Sequence, residues 1–414
     1  MRLSGLNKVV FILAIGLGFT QCGSTHQDDP SPNAGSSSAT NGHLVFFLSD
    51  SVEVHIPGHR SAYGMALYNG EERIDLLPVN QTCYRVPVFD GTLCLDAQGM
   101  GVWTDVLRTV KDPYTIDIQW FDSNPMVQDK ANWSSSETWR MSFGTEDPWF
   151  GDLVLQRSPS GLLQGTVETA TGDFRYLHGT EKDHVLSLQT FDGAHLFHFR
   201  ANTSLKDSLI EGLFSSGSHY NTPFTAHLKT DSDVPLASGM EATWTELPIA
   251  YSAIGLNGDS TVWSWSNTDS VTHILSIMGS WCPNCMDEHR LLVGLMDKHT
   301  NVHVHTLAFE RGLDRENGRE MALNRLRAYS ESMGLTRYPD RWHVNLVGPA
   351  SKKQAQQLLP FLDRVVSFPT SLVLSPGADR PWIHSGFNGP ATGVKYDLER
   401  ARFAAAVSGS QGSH

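Results

Sequence analysis

Ile274-Leu275-Ser276-Ile277-Met278-Gly279-Ser280-Trp281-Cys282-Pro283-Asn284-Cys285-Met286-Asp287-Glu288 is the stretch on which the reading of this chain turns. The apolar run at residues 274–278 predicts a buried strand, and residues 286–298 predict a helix. A strand that runs into Cys-x-x-Cys at a helix start makes a redox-active dithiol. The first cysteine meets the unpaired N–H groups and positive dipole end of the helix, which favour its thiolate. A free thiol titrates near about 8.5, and positions of this kind bring it to roughly 3.5–7.5. Pro283 suits the first helical position, where its missing N–H costs nothing.

The neighbours of the pair sort by helical spacing. Glu288 lies three residues beyond Cys285 and so on the same helix face. Near a thiol, its charge disfavours a second anion, while its protonated form can relay the proton that exchange must move. A solvent-facing acid in the first half of the helix is the competing reading of the same residue. Asp287 is expected to point elsewhere, into solvent. Trp281 either shields the dithiol and contacts substrate or belongs to the core. Cys282, Cys285 and His289 also form a Cys-x2-Cys-x3-His run, but a structural zinc site takes four ligands and no second cysteine pair completes it. No metal is therefore expected.

Outward from this stretch, β and α patterns alternate from about residue 248. Strands are expected at 271–278, 302–309, 370–374 and 382–385, with 343–347 a short strand or loop. Helices are expected at 283–299, 316–333, 351–359 and 396–407. The order indicates an α/β layer. Residues 43–235 read instead as all-β, with alternating apolar stretches at 43–48, 115–121, 163–169, 185–191, 195–201 and 210–214 between turn signals such as Thr171-Gly172-Asp173 and Phe191-Asp192-Gly193. That spacing suggests a meander forming a sandwich or open barrel. The expected division is two folded domains: an N-terminal all-β domain (43–235) and a C-terminal α/β domain (248–410), with a connector at 236–247.

The first residues read as targeting sequence. Arg2 and Lys8 precede an apolar segment, 9–19, too short for a comfortable membrane span. Residues 1–21 are expected to be a signal peptide. Phe19-Thr20-Gln21-Cys22 resembles a lipobox, although Gln21 departs from the small residue usual before the cysteine. Cys22 is the expected lipidation site and 22–42 a polar flexible tether; an ordinary secretory signal is the alternative. Gly23 is not the acidic residue associated with inner-membrane retention, so an outer-membrane anchor facing the periplasm is expected. The other four of the five cysteines form two local pairs in what export would make an oxidising compartment. Cys83 and Cys94 are either a disulfide, contributing roughly 3 kcal/mol by loop closure, or two buried thiols. The net charge of −13 argues against nucleic acid as a partner.

Residues 248–410 resemble a thioredoxin-fold domain of the TlpA-like thiol–disulfide oxidoreductases of bacterial envelopes, within the wider redoxin superfamily. The residues that carry it are Trp281-Cys282-Pro283-Asn284-Cys285, Glu288, Phe368-Pro369-Thr370 and Gly386-Phe387. The β half, around Thr171-Gly172-Asp173-Phe174-Arg175-Tyr176 and Phe191-Asp192-Gly193-Ala194-His195, is similar to a lipoprotein branch of the same family. The resemblance implies that Cys282 is an exposed nucleophile and Cys285 the buried resolving cysteine. It implies that Pro369 is cis and lies against the dithiol, that Glu288 assists proton transfer, and that Trp281, Phe368 and Thr370 contact substrate.

The expected function is therefore thiol–disulfide exchange; the resemblance favours a protein-disulfide reductase, while Pro283 after the nucleophile gives the Cys-Pro-x-Cys shape also found in oxidants, and no small-molecule cofactor is expected, a partner redox protein supplying electrons. A peroxidase shares the fold, but generally carries Thr or Ser three residues before its cysteine, where this chain has Gly279. A non-catalytic lipoprotein that binds a surface partner through its β domain is the third reading.

Overall fold

The computed structural model describes residues 40–61, 63–108, 113–123, 132–203, 209–236 and 241–409. The expected signal peptide, Cys22 and the tether up to residue 39 lie outside them, as do residues 237–240 of the connector. The strand that opens the fold begins at Thr40, so residues 40–42, assigned above to the tether, belong to the first strand.

The β half is not one sandwich or open barrel but two closed sheets. The first is an antiparallel meander of eight strands: β1 (Thr40–Ser49), β2 (Val52–Ser61), β3 (Gly64–Asn69), β4 (Glu72–Pro78), β5 (Cys83–Arg85), β6 (Thr92–Leu95), β7 (Met100–Asp105) and β8 (Tyr114–Asp122). β8 returns to pair with β1 and closes the barrel. Alternation places Leu44 and Phe46, Val54 and Ile56, Ile116 and Ile118 inside. Eight strands leave an interior that side chains can fill, and Trp103, Phe46 and Trp120 fill it. Cys83 and Cys94 face each other across β5 and β6 and form a disulfide.

The second sheet holds β9 (Glu137–Phe143), β10 (Trp149–Arg157), β11 (Leu162–Thr169), β12 (Gly172–Asp173), β13 (Leu177–Lys182), β14 (Val185–Phe191), β15 (Leu196–Thr203), β16 (Leu209–Ser216) and β17 (Tyr220–Leu228). Its ladder runs β10-β9-β17-β16-β15-β14-β13-β11, and the pairing of β11 with β10 closes it. Phe143, Phe199, Phe214 and Phe224 pack through its core, Phe199 stacked on Phe214, with Phe143 edge to face with Phe214 and Phe199 edge to face with Phe224. Within its sheet β12 pairs with β11 alone, at the rim, and Gly172 also bridges to Phe387 of the C-terminal layer. The barrels are joined: Asn69 Nδ2 donates to the carbonyl of Phe191 (2.8 Å), whose own N–H donates to Asn69 Oδ1 (3.0 Å), while the Phe191 ring enters the first barrel's core beside Phe46.

The C-terminal part is one seven-stranded mixed sheet. Its elements are β18 (Ala250–Gly255), β19 (Ser260–Ser264), β20 (Thr272–Met278), α1 (Pro283–Met296), β21 (Val302–Glu310), α2 (Gly318–Ser332), β22 (Trp342–Pro349), α3 (Lys352–Leu358), β23 (Thr370–Leu374), β24 (Trp382–Ser385) and α4 (Val394–Val407). Strand order is β19-β18-β22-β21-β20-β23-β24, with β20, β21 and β22 parallel. The core order β21-β20-β23-β24, with α1 leaving the end of β20, is that of a thioredoxin fold. Every residue of β20 is buried, as expected of a central strand covered on both faces. The short strand or loop expected at 343–347 is a full strand. No helix among the described residues is long and apolar enough to cross a membrane.

Candidate active site

β20 ends at Met278, and the chain turns through Gly279-Ser280-Trp281 into α1. The turn is fastened from β21. The buried carboxylate of Glu310 accepts from Ser280 N and from Ser280 Oγ, both at 2.8 Å, and Trp281 Nε1 donates to the carbonyl of Phe309 (2.9 Å). Cys282 is the helix N-cap, in extended conformation, and Pro283 takes the first helical position. Cys282 Sγ accepts the N–H of Cys285 at 3.3 Å, and its thiol donates to the carbonyl of Phe368 at 3.4 Å. The Phe368–Pro369 peptide is cis. The dithiol thus lies between the start of α1 and the loop that leads into β23.

The two sulfurs are unequally placed. Cys285 is fully buried, and burial together with the neighbouring Cys282 sulfur pushes its thiol well above the usual range. Cys282 is only 8 % exposed, not the exposed nucleophile that the resemblance implies. The second barrel stands over it.

Glu288 is fully buried and is no solvent-facing acid. Its carboxylate accepts from Ser276 Oγ on β20 (2.7 Å) and Ser371 Oγ on β23 (2.8 Å). Burial pushes it up to about 7 despite those two bonds and the nearby His384, and its charge is one of the influences that raise Cys285. His289, also buried, is held neutral by desolvation, down to about 3. When Glu288 is ionised the polarity of the chain behind the dithiol is fixed. Tyr329 Oη donates to His289 Nδ1 (2.9 Å), His289 Nε2 donates to Ser276 Oγ (3.2 Å), and Ser276 Oγ donates to Glu288. Both nitrogens of His289 are therefore engaged away from the sulfurs, which removes it from the zinc reading.

Asp287 corrects the expectation of a solvated acid. It is buried, and Arg175 Nη1 reaches its Oδ2 at 2.5 Å while Arg290 Nη1 reaches Oδ1 at 2.7 Å. Arg175 comes from the segment after β12 and also pairs with Glu72 of the first barrel, so a single buried guanidinium ties both barrels to α1. The same segment touches the motif through its backbone. Asn284 Nδ2 donates to the Asp173 carbonyl (3.3 Å), Gly389 N donates to Asp173 Oδ1 (2.6 Å), and Phe387 N donates to the Thr171 carbonyl (3.3 Å). At Gly172, φ is +149° and a Cβ would stand 2.1 Å from Asn284 Nδ2, so only glycine allows the approach. The turn that the sequence suggests at Thr171-Gly172-Asp173 falls at residues 170–171, and the strand and segment that follow form a wall of the site.

Of the three expected substrate contacts, Trp281 and Phe368 line the cleft above Cys282, packed edge to face at 5.6 Å. Arg311 lies over the Trp281 ring at 4.5 Å. Thr370 does not line it: as the first residue of β23 it is fully buried, with its hydroxyl on the Ser367 carbonyl (2.9 Å). Of the residues that sequence reasoning missed, Arg175, Asp173, Glu310 and Ser371 sit far in sequence from the motif, whereas Ser276 lies on the strand that leads into it. A signal did exist for two of them, because Thr171-Gly172-Asp173-Phe174-Arg175-Tyr176 carries part of the resemblance.

No family model matches the sequence, and no curated protein matches it. Among solved structures the chain is similar to a thiol:disulfide interchange protein of the thioredoxin family from Chlorobium tepidum, at 16% identity over 41% of this chain and 99% of that one, with a TM-score of 0.27. It is similar to the thioredoxin domain of a thiol-disulfide oxidoreductase from Bacteroides vulgatus, at 13% identity over 39% and 97%, TM-score 0.25. A secreted disulfide oxidoreductase from Mycobacterium tuberculosis shares 14% identity over 37% and 95%, TM-score 0.25.

Proposed function

We propose that this chain is an envelope thiol–disulfide oxidoreductase working through Cys282 and Cys285, in the reducing direction. The observation that carries the proposal is the asymmetry of the two sulfurs. One caps a helix at the floor of a cleft; the other is sealed beneath it beside a carboxyl group that titrates near neutrality. In the first step the Cys282 thiolate attacks a substrate disulfide, forms a mixed disulfide and expels one substrate sulfur as thiolate. In the second, Cys285 loses its proton toward the Glu288 carboxylate and attacks Cys282 Sγ. The second substrate sulfur leaves and the Cys282–Cys285 disulfide forms. The substrate gains two electrons and the protein loses them, so a partner dithiol protein must reduce the pair for the next cycle.

The peroxidase reading is less well served. The nearest hydroxyl in the preceding turn, Ser280 Oγ, is committed to Glu310 and not aimed at a peroxide over Cys282. The non-catalytic reading leaves the buried relay behind Cys285 without a use. A disulfide-reduction assay separates these readings: the wild type reduces a model disulfide and Cys282→Ala does not, whereas equal rates remove the dithiol from the chemistry.

Attachment to the membrane through a lipidated Cys22, with the folded part facing the periplasm, belongs to the same proposal. Fractionation of wild type and Cys22→Ser tests it. Membrane recovery of the wild type alone supports the anchor; two equally soluble proteins oppose it.

A further inference from the structure

We infer that the second barrel supplies the substrate subsite of the dithiol, and that this subsite admits a slender disulfide, carried by a small molecule or by an extended chain segment, while excluding disulfides set in a folded surface. The inference rests on the exchange reading above and adds the substrate class to it.

Among the described residues, Cys282 opens onto a cleft of about 200 Å3. Pockets for drug-sized ligands occupy about 300–1,000 Å3, so this one takes a few extended atoms and their side groups, not a protein surface. Trp281 and Phe368 wall it from the α/β layer; Gly172, Phe174, His195 and Phe197 wall it from the second barrel. Phe174 and Phe197 stack at 4.7 Å, and His195 stacks on Phe197 at 5.1 Å. His195 is itself held by Asp192 through Nδ1 at 3.1 Å. The far wall is therefore a packed aromatic face.

That wall is fixed to the dithiol rather than resting on it. Residues 171–175 are tied to α1 by Asn284 and by the Arg175–Asp287 pair, to residues 387 and 389 by backbone donors, and to the first barrel by the Arg175–Glu72 pair. Gly386, at φ +90°, would place a Cβ 2.5 Å from the Thr171 carbonyl, so the seam on this side closes backbone to backbone. Attack on a disulfide needs the reacting sulfurs to reach roughly 3–3.5 Å along the S–S axis. A disulfide flanked by methylene groups can enter such a slot. One embedded in a folded surface meets the aromatic wall first.

The test is single-turnover exchange of the full-length, pre-reduced protein with three disulfides: bis(2-hydroxyethyl) disulfide, an unstructured peptide closed by one disulfide, and a folded domain whose surface disulfide dithiothreitol reduces readily. Each rate is divided by that of dithiothreitol with the same substrate. The expected result is an advantage of about tenfold or more for at least one of the two slender disulfides over the folded domain, a discrimination within reach of a single pocket. The faster of the two tells small molecule from extended chain. Phe197→Ala, and the milder Phe197→Leu if the first does not fold, should reduce that advantage by opening the wall. Equal normalised rates in the wild type, or an advantage unchanged in a folded Phe197 variant, would overturn the inference. A protein unreactive toward all three, with Cys282 still alkylated by iodoacetamide, would instead overturn the exchange reading.

Discussion

Glu288 is the residue at which burial and chemistry meet. Ser276, Ser371 and His384 favour its ionised form, yet desolvation wins and holds it near 7, against an ordinary 4.5; Glu399 adds to the rise. The folded protein thus binds this proton more tightly than the unfolded chain does. The resulting stability is complete below about 4.5 and is lost as pH rises through about 7. Glu288→Gln should flatten the dependence of unfolding free energy on pH over that interval, measured by denaturant titration. It should also remove the inflection near neutrality from the pH–rate profile of disulfide exchange and lower the rate by about 100-fold at the plateau. A profile identical to wild type would return Glu288 to a purely structural role.

The decisive element is the segment from β12 to Arg175, which joins three bodies through one guanidinium. An exposed aspartate at position 287 would be replaced almost freely, within about 0.5 kcal/mol. Because Asp287 is buried against Arg175 and Arg290, Asp287→Asn should instead cost about 3 kcal/mol, the loss expected when one partner of a buried ion pair is removed. Urea denaturation of the two proteins decides between these values. The β5–β6 hairpin makes a separate prediction. Its disulfide closes a loop between residues eleven apart, so Cys83→Ala/Cys94→Ala should lose about 2–4 kcal/mol of stability while disulfide exchange through Cys282 persists. Exchange that disappears in a folded double variant would bring the first barrel into the chemistry.

At the scale of the molecule, what could be read from sequence was what is local. The strand, turn and helix around Cys282, the alternation of the C-terminal layer and six of the β strands follow from periodicity and turn chemistry over windows of about ten residues. Barrel closure does not, because β1 meets β8 and β9 meets β17 through registers that no local pattern encodes; one sandwich and two barrels have the same alternation. The environment of the dithiol was half legible for the same reason. Glu288 could be placed from helical spacing, but its serine partners come from two other strands, and Asp287 was misjudged because its arginine lies 112 residues away. Exchange through this site rests on Cys282 attacking and Cys285 resolving. The most direct test is intact-mass spectrometry of full-length Cys285→Ala after incubation with bis(2-hydroxyethyl) disulfide, followed by peptide mapping. The expected result is a persistent adduct on Cys282 that dithiothreitol removes, with no such adduct persisting in the wild type. An adduct absent from Cys282 in a folded Cys285→Ala, or equally persistent in the wild type, would contradict it.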